Sequence, residues 1–153
     1  MIVLASASPR RAELLRGAGL EIHVAPVDSD ERWLPGEAPP AYAARVARTK
    51  ASLALPMHPR AVILAADTTV WLGEAGDPQA CPIGKPSDRA EAATILRALT
   101  GAGAHRVTTA FVLADARGTT VQWIERQVTT RVYMRGLDET ELGDYLDTQD
   151  WRD

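Results

Sequence analysis

Hydrophobic and polar positions along the chain follow two periods, and each change of period separates a predicted strand from a predicted helix. Short apolar or alternating runs predict strands, whereas apolar residues spaced three and four positions apart predict helices. The predicted strands are 2–4, 20–27, 61–66, 105–114 and 119–134, and the predicted helices are 9–16, 41–55, 88–99 and 138–146. The pattern therefore predicts alternating strands and helices, followed by a hairpin and a last helix.

The composition limits the kinds of protein that this chain can be. Its 153 residues, 46% of them hydrophobic, suffice for one domain with a real core and are too few for two. A net charge of −3 gives no support for a nucleic-acid or membrane-surface partner, because either would require a basic excess. No apolar run approaches the roughly 20 residues that span a bilayer, and the lone Cys81 can form no internal disulfide. We therefore expect a soluble, cytoplasmic protein of one domain.

The loop between the first strand and the first helix is the strongest candidate for a binding site. Ser8 suits the N-cap and Pro9 suits the first helical position. Arg10 and Arg11 do not suit a positive helix end, where each cation costs about 0.3–1 kcal/mol unless solvent or an anion relieves it. Together with Ser6 and Ser8 they would hold a phosphate group. A capped, solvated helix start is equally consistent with these residues.

Two acidic positions follow predicted strands. Asp28, Asp30 and Glu31 come after the second strand, where a hydrated turn is the commoner structure and a divalent cation site is the alternative. Asp67 follows the apolar run 61–66 and either caps a turn there or serves a function. We favour the function, because α/β active sites gather at the ends of buried strands.

The basic candidates give weaker signals on their own. Lys50 lies on a predicted helix, where a charged face is usually solvated, and Lys85 lies in a Gly-Lys-Pro turn that allows close approach to a phosphate. The three histidines, His23, His58 and His105, show no metal-ligand spacing and are interpreted as structural. The whole set suits metal-assisted chemistry on a polyphosphate; it consists of Ser6, Ser8, Arg10, Arg11, Glu31, Lys50, Asp67 and Lys85.

Five motifs occur in an order that identifies a family. They are Leu-Ala-Ser-Ala-Ser-Pro-Arg-Arg (4–11), Asp-Ser-Asp-Glu (28–31), Ala-Arg-Thr-Lys-Ala (47–51), Ala-Asp-Thr-Thr-Val (66–70) and Gly-Lys-Pro (84–86). In this order they resemble the Maf family of nucleoside triphosphate pyrophosphatases. The resemblance implies an inosine-triphosphatase-like (Maf/HAM1) α/β fold, in which helices flank a mixed central sheet and the site lies in a cleft between two lobes. It also implies a homodimer, a divalent cation such as Mg²⁺ or Mn²⁺, and hydrolysis between the α and β phosphates.

The resemblance also assigns roles to individual residues. Asp67 matches the proton acceptor of the family. Glu31, Lys50 and Lys85 match its charged residues for metal and triphosphate binding, with Glu31 and Asp67 as the metal ligands. The roles of the two carboxylates remain exchangeable, since either can bind the metal or take the proton. The remaining matches are Arg10 and Thr68 for base selection, and Ser6, Ser8 and Arg11 in the phosphate loop.

One departure from the family pattern lies at the end of the sequence. Members usually continue from a Trp-Arg-Asp-like point into Lys-Ala-Gly-x-Tyr-x-Ile-Gln-Gly, a further strand and a helix, and that segment carries a glutamine used in substrate selection. This sequence ends with Trp-Arg-Asp at 151–153. From the resemblance we expect a C-terminally incomplete Maf-like domain, with exposed apolar area at the last sheet edge and lowered stability.

The leading functional hypothesis is a housecleaning pyrophosphatase for dTTP, UTP and their modified forms. A relative that prefers 7-methyl-GTP is the alternative within the family. A regulator of cell division that binds nucleotides without catalysis is the alternative to an enzyme. A nucleotidyltransferase is disfavoured because the first loop, 5–9, contains no glycine.

Overall fold

The computed structural model describes residues 1–74 and 76–152, which form one mixed six-stranded sheet with helices packed around it. The strands are β1 Ile2–Leu4, β2 Ile22–Val24, β3 Val62–Trp71, β4 Pro82–Ile83, β5 Ala104–Asp115 and β6 Gln122–Tyr133. The helices are α1 Pro9–Gly17, α2 Pro39–Ala54, α3 Arg89–Gly101 and α4 Glu139–Thr148, and short 3₁₀ turns occupy Leu55–Met57 and Asp150–Arg152. The predicted α/β class and its mixed sheet are confirmed.

The order of the strands leaves part of β3 without a neighbour on one side. The sheet runs β2-β1-β3-β5-β6, with β1 parallel to β2 and β3, and with β5 antiparallel to β3 and β6. β1 ends where Leu4 pairs with Leu64, and β4 joins the same side of β3 only at Val70 and Trp71. The middle of β3 therefore has a strand on its β5 side and an open edge on the other.

A core of small residues lets α2 lie close to the sheet. Four fully buried alanines of α2 face the sheet, at positions 43, 47, 51 and 54. They pack against Val3, Ile63, Ala65 and the alternate β5 residues Ala110 and Val112. A second cluster joins α3 to α4 through Ala92, Leu142 and Leu146. Since burial of apolar area is the main stabilising term, the first cluster holds α2 to the sheet and the second holds α3 to α4.

Two strand predictions are wrong in extent. The third strand was predicted to end before Asp67, but β3 continues without interruption to Trp71 because β5 pairs with it along its whole length, including Asp67 opposite Ala110. The second strand was predicted over 20–27 and covers three residues, since β1, its only neighbour among the described residues, is itself three residues long. Long-range pairing, which is not visible in local periodicity, sets both lengths.

An Asp followed three residues later by a Glu predicts a reciprocal capping box at two helix starts, Asp88–Glu91 and Asp138–Glu141, and the two differ in the structure. At α4, the Asp138 side chain accepts from Glu141 N and the Glu141 side chain accepts from the Asp138 amide, so this box is confirmed. At α3, Asp88 accepts from Glu91 N at 2.8 Å, but the Glu91 carboxylate accepts from the amide and hydroxyl of Ser87 instead. The prediction of a reciprocal box at α3 is therefore wrong, because the Glu91 carboxylate bonds to Ser87, the residue before Asp88, and not to the Asp88 amide.

β6 forms the far edge of the sheet and is largely exposed on both faces. Ile124, Val128 and Tyr133 are 49%, 63% and 72% exposed. This confirms the expected apolar area at the last sheet edge. The longest helix, α2, has 16 residues, and no helix in 1–74 or 76–152 is both long and apolar enough to cross a membrane.

His105 at the start of β5 is expected to make stability depend on pH. The residue is 5% exposed, its Nδ1 has no hydrogen-bond partner among the described residues, and burial lowers its pKa below the ordinary 6.5. The unfolded chain therefore binds the proton more readily, and stability present above the unfolded pKa is lost as pH falls. We expect the free energy of unfolding, measured by urea titration, to fall between pH 7 and pH 5. His105→Phe should flatten that slope; an unchanged slope in the variant would contradict this origin.

Candidate active site

The first loop leaves the amide groups of the first turn of α1 without a side-chain cap. Ser8 occupies the N-cap position with extended backbone, as predicted, but its side chain makes no capping hydrogen bond. Instead, the Ser8 amide donates to Ser6 Oγ at 3.3 Å. The N-terminal amides of a helix carry partial positive charge and bind anions. The expected side-chain cap is wrong, and the helix start is better suited to an anion than a capped one.

Arg11 continues the hydrogen bonding of β3 where β1 ends. The carbonyl of Leu64 is the last on this edge to accept from the β1 segment, at 2.8 Å. Two residues further, the carbonyl of Ala66 points to the same side of the strand and accepts from Arg11 Nη1 at 2.9 Å. The same Nη1 donates to Ser6 Oγ at 2.9 Å, and Nη2 donates to Thr68 Oγ1 at 3.2 Å. Arg11 thereby ties the first loop to the open edge of β3.

The charge environment of Arg11 combines burial with nearby carboxylates. Burial lowers the pKa of the guanidinium, while Asp67 and Glu31 act in the opposite direction and the neighbouring Arg10 adds to the lowering. Arginine stays protonated in proteins despite such shifts. The first turn of α1 therefore presents a fixed positive charge beside two acidic side chains.

A buried ion pair lies at the middle of β3. Lys50 and Asp67 are each 8% exposed, and Lys50 Nζ lies 3.2 Å from Asp67 Oδ1. Lys50 points at the sheet because it falls on the same face of α2 as Ala47, Ala51 and Ala54. The solvated interpretation of Lys50 is wrong, since this lysine belongs to the buried face of its helix.

Burial dominates the titration of Asp67. Desolvation raises the pKa of its carboxyl above the ordinary 3.8, and the Lys50 cation opposes that rise. Glu31 raises the pKa further and Arg11 lowers it. A carboxylate moved toward neutral pH in this way is a stronger proton acceptor than a solvated one.

Glu31, which lies in the loop after β2, is the third charged residue in contact with the Lys50–Asp67 pair. Its Oε1 lies 3.0 Å from Lys50 Nζ, and its carboxylate remains half exposed. The Tyr42 hydroxyl of α2 donates to the Glu31 carbonyl at 2.8 Å, which holds the loop against the helix. Asp30, by contrast, is paired with Arg32 in solvent at 2.7 Å. Of the acidic residues at the end of the second strand, Glu31 is the one that reaches Lys50.

The two carboxylates on Lys50 fit a hard divalent cation. Glu31 and Asp67 converge on one ammonium, so both oxygens already face a common position of positive charge. No cluster of three or more His, Cys, Asp or Glu side chains suited to a metal occurs in the described part of the chain. Mg²⁺ commonly takes one or two carboxylates and completes its shell with water and substrate phosphates, so two suffice.

Of the histidines, His23 and His58 contact each other edge to face, with ring centroids 5.8 Å apart.

The remaining predicted residues lie on the surface. Arg10 is exposed in the first turn of α1, and Lys85 is exposed between β4 and α3. The antiparallel register of Ile83 with Val70 directs the chain after β4 back along β3, toward Thr68. Lys85 makes no hydrogen bond or ion pair with any residue in 1–74 or 76–152. The structure brings the predicted residues together in two groups. Ser6, Arg11 and Thr68 form one group, and Glu31, Lys50 and Asp67 form the other.

Thr109 is a residue at this site that the motifs missed. It faces Thr68 across β3 and β5, and the two hydroxyl oxygens are 3.0 Å apart. Both strands were predicted, but their register was not. The threonine had no other signal in the sequence, and the pairing of the strands alone brings it to the site.

The polar residues along β3 belong to a chain that matches a known family from end to end. The family model described as Maf-like protein matches residues 1–153. The chain belongs to the Maf family. The dTTP/UTP pyrophosphatase of Roseobacter denitrificans is 42% identical to this Maf chain over 153 residues, which cover 99% of the chain and 75% of the relative. The dTTP/UTP pyrophosphatase of Anaeromyxobacter dehalogenans (strain 2CP-C) is 43% identical over 147 residues, covering 96% and 70%.

A solved structure supports the fold assignment of this Maf protein. The Ham1 protein of Staphylococcus aureus aligns with a TM-score of 0.52 at 16% identity, covering 86% of this chain and 71% of that one. At such low identity the similarity concerns the fold alone. It confirms the HAM1-like fold that the sequence motifs implied.

Proposed function

We propose that this Maf protein hydrolyses dTTP and UTP between the α and β phosphates, giving the monophosphate and pyrophosphate. The observation that carries the proposal is the buried Lys50–Asp67 pair on the open edge of β3, with Glu31 at 3.0 Å from the same lysine. Two relatives at 42% and 43% identity are named as enzymes of this activity. Both the charge pattern and the family therefore support a nucleoside triphosphate as substrate.

The triphosphate is bound by the cations and amides that surround the open edge. The uncapped start of α1 offers backbone N–H groups, and Arg10 and Arg11 extend from the same turn. Lys85 approaches from the segment after β4. Such groups stabilise charge that develops on phosphate oxygens during displacement at phosphorus. Arg10 and Thr68, which are both exposed, contribute to the choice of base.

Asp67 is assigned as the general base. It accepts a proton from the water whose oxygen forms the new bond to the α phosphorus, while the bond to the bridging oxygen breaks and pyrophosphate leaves. Its burial raises its pKa, which strengthens it as a base, and the Lys50 cation opposes that rise by favouring the ionised carboxylate. Lys50 also holds the carboxylate in place through the 3.2 Å contact.

Glu31 and Asp67 are the residues that would hold Mg²⁺ or Mn²⁺. When bound, the ion supplies neutralisation of phosphate charge. Glu31 is the more accessible ligand because its side chain is 49% exposed, against 11% for Asp67.

The test is pyrophosphate release from a panel of nucleoside triphosphates with Mg²⁺ or Mn²⁺. We expect release from dTTP and UTP and its loss when EDTA removes the metal, because the phosphate charge then lacks its counterion. Release from 7-methyl-GTP alone would replace the proposed substrate with the alternative in the family. Nucleotide binding by calorimetry with no release from any substrate would contradict an enzyme and favour a binding regulator.

A further inference from the structure

We propose that Thr109 is a positioning residue for nucleotide binding, acting through Thr68 on the guanidinium of Arg11. The proposal rests on the proposed function, since it concerns the affinity of the same site for a nucleoside triphosphate. Thr109 belongs to none of the five sequence motifs, and it lies on β5, outside the loop and helix that carry the cations.

The three side chains form a continuous chain of hydrogen bonds. Arg11 Nη2 lies 3.2 Å from Thr68 Oγ1, which lies 3.0 Å from Thr109 Oγ1. A guanidinium has donors and no acceptor, so the Thr68 oxygen accepts from Arg11. The Thr68 side chain can place its hydroxyl oxygen in three staggered rotamers, and because Thr68 is exposed, packing does not choose among them. Its bond to the half-buried Thr109 selects the position that faces Arg11.

The opposite side of the guanidinium is held by groups that Thr109 does not touch. Nη1 donates to Ser6 Oγ and to the Ala66 carbonyl, both at 2.9 Å. Loss of the Thr109 hydroxyl would therefore leave Arg11 at the edge of β3 and free only its Nη2 side. A guanidinium held from both sides binds an anion without first being ordered, which lowers the cost of binding. Thr109 is thus expected to act on affinity rather than on the chemical step.

The sheet provides a matched comparison in a second threonine pair. Thr108 Oγ1 and Thr129 Oγ1 are 2.8 Å apart, on the face of the sheet opposite to Thr109, because side chains alternate along a strand. Trp71 Nε1 donates to the buried Thr108 at 3.0 Å, whereas Thr129 lies on the exposed strand β6. Thr129→Val removes a bond of the same kind from the same sheet without touching Arg11.

The experiment compares Thr109→Val, Thr109→Ser and Thr129→Val with the parent chain. The probe is the α,β-imido analogue of UTP, whose dissociation constant is measured by calorimetry with Mg²⁺. For Thr109→Val we expect a rise of roughly 5- to 20-fold, the size of one lost hydrogen bond to a charged network. In turnover, KM should rise with kcat unchanged. Thr109→Ser keeps the hydroxyl and should stay within about twofold of the parent, as should Thr129→Val.

A second readout does not depend on nucleotide. The guanidinium N–H signals of Arg11, assigned with Arg11→Lys, should exchange faster with solvent in Thr109→Val and not in Thr129→Val. Unchanged exchange in Thr109→Val would overturn the proposal, as would equal losses of affinity in Thr109→Val and Thr129→Val. If the parent neither binds the analogue nor releases pyrophosphate, the proposed function fails. Unchanged Arg11 exchange in Thr109→Val would then overturn the Thr109 proposal too, and faster exchange would support its hydrogen-bond network.

Discussion

Asp67→Asn is expected to lower kcat for pyrophosphate release by about 10²- to 10⁴-fold, the usual contribution of a general base. Asparagine has the same size and keeps an oxygen toward Lys50, but it cannot accept the proton of the attacking water. Lys50 retains Glu31 as a partner at 3.0 Å, so the variant should fold. The measurement is kcat with UTP, alongside a thermal unfolding curve.

The pH dependence of the rate in Asp67→Asn and in Glu31→Gln distinguishes the roles of the two carboxylates. In the parent chain the rate should fall as pH drops through the pKa of Asp67, which burial raises above the ordinary 3.8, because the protonated acid is no base. Glu31→Gln should keep that acid limb and raise the Mg²⁺ concentration needed for half-maximal rate. If Glu31→Gln removed the limb and Asp67→Asn kept it, the two roles would be exchanged.

Lys50→Met is expected to destabilise the fold by about 3–5 kcal/mol at neutral pH, the cost of leaving one member of a buried ion pair without its partner. Both side chains are only 11% exposed, so solvent does not compensate for the loss. Methionine fills the same space, which limits the effect of a cavity. The free energy of unfolding by urea measures the change.

Loss of the lysine also removes the attraction that opposes the raised pKa of Asp67. Above the unfolded pKa, the unfolded chain then loses the proton more readily than the folded one. The penalty should therefore shrink as pH falls toward 5, and the acid limb of the rate should move to higher pH. Asp67→Asn placed on Lys50→Met should recover much of the stability. A variant as stable as the parent at pH 8 would contradict a coupled buried pair.

Local patterns were enough to predict the elements and part of the site. The alternation of the β5 residues and the periodicity of α2 follow from which face meets the core. The family motifs named Asp67, Lys50 and Glu31, and the structure places the two carboxylates within 3.2 Å of the Lys50 ammonium. Without the motifs, the helix context of Lys50 favoured a solvated face, because single-sequence periodicity does not show which polar residue shares the buried stripe.

Features that depend on strand register were outside the reach of the sequence. The run through Asp67 looked like a strand end because a charged residue is costly in a buried strand, and its pairing with Lys50 across 17 residues removes that cost. Ser8 looked like a side-chain cap because its residue type suits one, yet the Ser6 hydroxyl takes its amide. Thr109 entered the site through pairing with a strand 41 residues away.

The open edge of β3 also determines when the site can form during folding. Arg11 lies in the first turn of α1, but two of its acceptors lie on Ala66 and Thr68, 55 and 57 residues later. Before β3 is synthesised, β1 has only the three residues of β2 to pair with. Contacts of such separation form slowly because loop closure precedes any gain from them. The first loop should therefore become ordered on the ribosome only after β3 has been synthesised and has paired with β1.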